Sequence, residues 1–150
     1  ATDDGLCIVD DAAAALASPS SELCSTVLRG DDYGFWRNSV TALADGGSVI
    51  WVGTSGGLTR YYPATGASVR YDENSLGGER INDIAIDADG IVWIATNEGV
   101  TRLDPSTNLA THFTGNDLGL STAHVRSIYI DADGTKWFAG DGGLVQYIGA

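Results

Sequence analysis

Val49-Ile50-Trp51-Val52-Gly53-Thr54, Ile91-Val92-Trp93-Ile94-Ala95-Thr96 and Thr135-Lys136-Trp137-Phe138-Ala139-Gly140 are three copies of one segment, with tryptophans 42 and 44 residues apart. Upstream of each tryptophan lies a second kind of run: Val40-Thr41-Ala42-Leu43, Ile81-Asn82-Asp83-Ile84-Ala85-Ile86 and Val125-Arg126-Ser127-Ile128-Tyr129-Ile130. Apolar and polar side chains alternate in these runs and β-branched residues recur, so they read as strands. Downstream, after a turn, come Gly57-Leu58-Thr59-Arg60-Tyr61, Gly99-Val100-Thr101-Arg102-Leu103 and Gly143-Leu144-Val145-Gln146-Tyr147. Outer strands follow at Ala67 to Tyr71 and Leu109 to Thr114. Each unit is predicted as an antiparallel meander of strands joined by turns, with no helix between them.

A four-stranded meander repeated at this period is one blade of a β-propeller. The fold class is therefore all-β, with about three blade-equivalents forming an incomplete propeller. Residues 26–35 align without a gap on 111–120 at a constant offset of 85, which continues to Val40 on Val125. Residues 26–29 thus read as the outer strand of a preceding blade, and Asp4 to Val9 as its third strand, with Asp11 to Ser25 inserted between. The expected organisation is a partial first blade at 1–37, blades at 38–79 and 80–124, and a blade lacking its outer strand at 125–150.

Composition limits the partners. Among 150 residues, 20 acidic side chains stand against 8 basic ones, of which Lys136 is the single lysine, and the formal charge is -12. Such a field repels phosphate backbones and anionic membrane surfaces, so nucleic acid is excluded as a partner class. No stretch approaches the roughly 18 to 20 apolar residues that span a bilayer. The chain contains no methionine and opens Ala1-Thr2-Asp3-Asp4, as expected of a fragment or a product processed at a small-residue signal site. Cys7 and Cys24 flank the one insertion and belong to no CxxC motif. A disulfide between them is the expectation, two free thiols the alternative, and the bond implies an oxidising compartment.

The succession of apolar strand, Asp-x-Asp-Gly, Trp-x-Gly/Ala-Thr, Gly-Leu or Gly-Val, then Arg with an aromatic or with Leu-Asp-Pro, resembles the two-component regulator propeller repeats. The resemblance covers residues 38–150, most cleanly 80–124. It implies a bacterial extracytoplasmic setting, and by analogy a propeller that perceives saccharides or other ligands and signals to a kinase.

Several motifs invite a catalytic or metal reading and have plainer ones. Gly53-Thr54-Ser55-Gly56-Gly57 matches the GxSxG of serine hydrolases, but the repeats place Asn97 and Asp141 where Ser55 stands. Ser, Asn or Asp before Gly is hairpin-turn chemistry. Asp87-Ala88-Asp89-Gly90 and Asp131-Ala132-Asp133-Gly134 resemble the start of a calcium loop, yet a strand begins at once and the distal Glu is missing. His112 and His124 share no ligand spacing. The paired carboxylates Asp3-Asp4, Asp10-Asp11 and Asp31-Asp32 are sequence neighbours that point to opposite faces of a strand. Trp51, Trp93 and Trp137 recur at one strand position and are expected to be blade core, not a ligand platform. No enzyme, cofactor or metal follows from these residues.

A ligand face, if used, is expected where the loops between blades meet the turns joining second to third strands. Those segments hold Tyr33, Trp36, Arg37, Arg80 and His124, the non-repetitive aromatic and basic residues. Trp36 with Arg37 suits stacking on a saccharide, and equally suits covering a blade edge. Two functional expectations stand: an interaction module that completes itself with further copies as a homo-oligomeric ring or filament, and a ligand-sensing propeller fragment.

Overall fold

Strand alternation and turn chemistry play out in a computed structural model that describes residues 6–8, 26–28, 35 and 39–149. Four antiparallel sheets form. Blade I holds β1 (Leu6–Ile8) and β2 (Thr26–Leu28). Blade II holds β3 (Val40–Asp45), β4 (Ile50–Thr54), β5 (Gly57–Tyr62) and β6 (Ala67–Tyr71) in sequential order. Blade III repeats this with β7 (Ile81–Ile86), β8 (Val92–Thr96), β9 (Gly99–Asp104) and β10 (Leu109–Phe113). Blade IV has β11 (Val125–Ile130), β12 (Lys136–Gly140) and β13 (Gly143–Tyr147). No described sheet closes on itself, and the architecture is that of an incomplete propeller.

Successive side chains of a strand point to opposite faces, so each second strand serves two interfaces. Trp51 faces blade III within a cluster that includes Leu58, Tyr71, Ile81, Ile84 and Ile94. Its neighbour Val52 faces backward and packs with Leu28, Phe35, Val40 and Tyr61. One blade later, Trp93 packs forward with Val100, Val125, Ile128 and Phe138. The small residue of Trp-x-Gly/Ala-Thr has a steric cause: a Cβ on Gly53 would lie 2.6 Å from Ile81 Cγ2 of the next inner strand. The threonine that follows is a turn staple. Thr54 Oγ1 donates to the Gly57 carbonyl and accepts from Gly56 N–H, and Thr96 does the same with Gly99 and Glu98.

Each inner strand carries a bulge that leaves Thr41, Asn82 or Arg126 outside the pairing register. A bulge re-aims its side chain. Thr41 Oγ1 donates to the Ile81 carbonyl (2.6 Å), and Asn82 Nδ2 donates to the Val125 carbonyl (2.7 Å), so the first two bulges clasp the first residue of the next inner strand. Asp83 adds to the second joint by accepting from Ser127 Oγ and Ile128 N–H.

Two expectations need correction. The connection between blades II and III contains a helical turn, α1 (Glu73–Leu76), where no helix was predicted. Asp72 caps it by accepting from Ser75 N–H, Gly77 ends it at φ 66°, and Leu76 is fully buried, with its carbonyl taken by Thr101 Oγ1. Trp137 also departs from its counterparts: Trp51 and Trp93 are 2% and 0% exposed, whereas Trp137 is only half-buried, because among the described residues no sheet covers the forward face of blade IV.

Candidate interaction site

The Asp-x-Asp-Gly turns hold the tryptophans. Asp87 Oδ1 accepts from the N–H groups of Asp89 and Ile91, while Oδ2 accepts from Trp93 Nε1 at 2.9 Å. Asp131 repeats the arrangement with Asp133, Thr135 and Trp137 Nε1. Among the described residues no three His, Cys, Asp or Glu side chains converge as a metal site. Lys136 of blade IV enters the Asp87 cradle, with Nζ 3.4 Å from Oδ2 and 5.2 Å from the Trp93 ring centre. Burial works against the Asp87 carboxylate, but the indole, the Ile91 N–H and Lys136 outweigh it and hold its pKa below the usual range.

The turns and inter-blade loops do share one face. Asn97 exchanges hydrogen bonds with the backbone of Arg80, and Asp141 N–H donates to the His124 carbonyl at the equivalent place in blade IV. There Asp141 binds Arg126 Nε (2.6 Å) and lies 3.1 Å from His124 Nδ1; Arg126 is the main cause of its lowered pKa. Arg126 was not among the residues singled out from sequence, and its place at a bulge is the reason it reaches this turn. Ser55 sits in the two-residue β4–β5 turn, followed by a strand and not a helix. Beside Asp141, residues 114–123 enclose an open hollow of about 220 Å³ lined by Thr114, Asn116, Ser121 and Thr122. That volume is below the roughly 300 to 1,000 Å³ of sites that enclose a small molecule. Arg80 and His124 lie in successive loops of this face; Tyr33, Trp36, Arg37, Cys24 and the Cys7 side chain lie outside the described residues, as do the paired carboxylates near the N-terminus.

A larger feature is the forward face of blade IV. In blade II the corresponding positions are Ala44, Trp51 and Leu58, and in blade III they are Ala85, Trp93 and Val100, all packed into inter-blade clusters. Blade IV places Tyr129, Trp137 and Leu144 there, with Tyr129 and Leu144 each 65% exposed.

Comparison with known proteins defines the class. Residues 75–98 match the family model described as two component regulator propeller, and this stretch includes the Asn82 bulge, the Asp87 cradle and Trp93. The family match covers that one repeat, and the blades on either side share its strand order. The extracellular domain of the hybrid two component system BT3049 from B. thetaiotaomicron is similar at 26% identity and TM-score 0.71, over 83% of this chain and 17% of that one. The extracellular domain of the one component system BT4673 from the same organism shares the fold at 21% identity and TM-score 0.60, over 72% and 15% of the two chains. PorZ, a surface component of the type-IX secretion system of Porphyromonas gingivalis, shares it at 19% and 0.61, over 73% and 17%. The chain thus spans about a sixth of the length of these structures. No curated protein matches the sequence significantly. Among the described residues no helix is long and apolar enough to cross a membrane.

Proposed function

We propose that the chain is a non-catalytic, extracytoplasmic propeller module that works by blade-to-blade association, with further copies of itself completing the array as a ring or filament. The observation that carries this reading is the forward face of blade IV: Tyr129, Trp137 and Leu144 stand where both preceding blades bury their equivalents under a following blade. The extracellular setting of the BT3049 domain supports the compartment. Light scattering of the purified chain tests the association. Wild type is expected above monomer mass, and Tyr129→Glu/Leu144→Glu is expected to be a folded monomer. A wild-type chain that stays monomeric at high concentration would refute self-association.

The similarity to a two-component extracellular domain favours a second reading, a ligand-sensing segment whose loop face, with Arg80 and His124 and the Tyr33-Trp36-Arg37 segment, takes a saccharide. Calorimetric titration with neutral oligosaccharides checks it: binding abolished by Trp36→Ala supports the reading, and no heat with any of them removes it.

A further inference from the structure

After α1 the chain passes through Gly77-Gly78 on its way to blade III, and neither position has room for a side chain. A Cβ on Gly77 would fall on the His112 ring, and one on Gly78 would lie 2.5 Å from Thr96 Oγ1. Two residues on, Asn97 holds the Arg80 backbone from both sides: its N–H donates to the Arg80 carbonyl and its Oδ1 accepts from the Arg80 N–H. Blade III therefore grips the loop at Gly77, at Gly78 and at Arg80, whose side chain is exposed on the loop face.

The grip at Gly77 contains a hydrogen-bond relay whose proton positions can be deduced. Side chains alternate along β9 and β10, so Val100 and Phe113 face forward to the Trp93 cluster while Thr101 and His112, directly opposite each other, face back toward α1. Thr101 Oγ1 donates to the Leu76 carbonyl and lies 3.2 Å from His112 Nδ1. A carbonyl only accepts, so the single hydroxyl proton of Thr101 is committed to Leu76. The hydroxyl oxygen can then only accept from His112, which puts a proton on Nδ1. What the relay satisfies is one of the carbonyls that the end of a helical turn leaves without a partner of its own.

We infer that His112, held as the Nδ1–H tautomer by Thr101, is the positioning residue of the loop that presents Arg80. The relay from His112 through Thr101 to Leu76 ties outer strand β10 to the connection between blades II and III. Neither a ligand nor a second copy of the chain takes part, so the fastening holds whatever the loop face binds.

Nitrogen NMR of the isotope-labelled chain in mildly alkaline buffer reads the tautomer, with the His112 signals assigned by their loss in His112→Asn. A protonated Nδ1 and a bare Nε2 are expected, and the opposite pattern would overturn the relay. Two variants test the positioning. In His112→Asn the amide nitrogen takes the place of Nδ1 and can still donate to Thr101, whereas in His112→Gln it takes the place of Nε2. The Gly77 amide donates to Glu73 and the Asn97 amide to Arg80, so their hydrogen exchange reports the two ends of the loop. Exchange at both is expected to speed up about fivefold in His112→Gln, the loss that one ordinary hydrogen bond carries, and to stay near wild type in His112→Asn. Amides within the β7–β8 pairing should not change in either variant. Equal exchange in the two variants, or loosening throughout blade III, would overturn the positioning role and leave His112 as packing. Thr101→Ser, which keeps the hydroxyl, and Thr101→Val, which removes it, repeat the comparison from the other partner, and equal exchange in that pair would overturn the relay as well.

Discussion

At the scale of single residues, three tryptophans with the same sequence context have two fates. Truncating Trp93→Ala is expected to cost about 3 to 5 kcal/mol, as deletion of a large aromatic from a closed core does. Trp137→Ala is expected to cost clearly less, because among the described residues no sheet covers its forward side. Urea melts of both variants measure the difference; equal losses would mean that Trp137 is covered in solution. Asp87 gives a second contrast. Asp87→Ala strands Lys136 in a buried place and removes the acceptor of the Trp93 indole, at a cost of about 3 to 5 kcal/mol for breaking a buried pair. A double-mutant cycle with Lys136→Met should show the two losses to be strongly non-additive, and additive losses would mean the ion pair is idle. Trp-x-Gly/Ala-Thr was readable in sequence as a repeat, but the indole acceptor and the lysine were not. The acceptor lies six residues before its tryptophan, in a turn whose aspartates also suit a plain hairpin, and the lysine reaches Asp87 from the next unit, 49 residues along the chain, where no local pattern records it.

At the scale of elements, strand order and turn positions follow from alternation and from Ser, Asn or Asp before Gly, and the hairpins at Ser55, Asn97 and Asp141 fall where the repeats put them. Two devices escaped that reading. The helical turn α1 is four residues long, too short to show a helical period, and only Asp72 and Gly77 mark its ends. The bulges shift the alternation, leaving two polar residues between Ile81 and Ile84 and between Val125 and Ile128, but nothing in Thr41 or Asn82 announces a clasp. Asn82→Ala removes the donor to the Val125 carbonyl and is expected to destabilise by about 1 to 3 kcal/mol if that carbonyl is left unpaired. Hydrogen exchange should report the loss at β11 first. Uniform loosening of all blades would argue that the clasp is not local. Gly53→Val should be worse than Gly53→Ala, since Ile81 and Ile84 already occupy the space beside it.

For the whole molecule, acid is the informative variable. Asp87, Asp131 and Asp141 all have pKa values below the ordinary range, from burial opposed by Trp93, Ile91 and Lys136, from the Trp137 indole, and from Arg126 respectively. A carboxylate whose folded pKa is depressed contributes stability that is complete above its unfolded pKa, about 3.9, and lost as pH falls through the folded value. The melting midpoint is therefore expected to be flat between about pH 7 and pH 5 and to drop below about pH 4. Relief of repulsion among 20 acidic residues pulls the other way, and a midpoint that rises steadily down to pH 3 would mean repulsion outweighs the cradles.

The bulge clasps have a consequence for how such a molecule can lengthen. Thr41 and Asn82 each reach forward and require of the next unit only a main-chain carbonyl, a group that every residue has. A gene segment encoding one unit, copied in tandem, would bring its own forward fastener and offer its own carbonyl to the copy before it. The clasp would form at both joints without a compensating substitution, so this fastener makes no side-chain demand on the neighbouring copy.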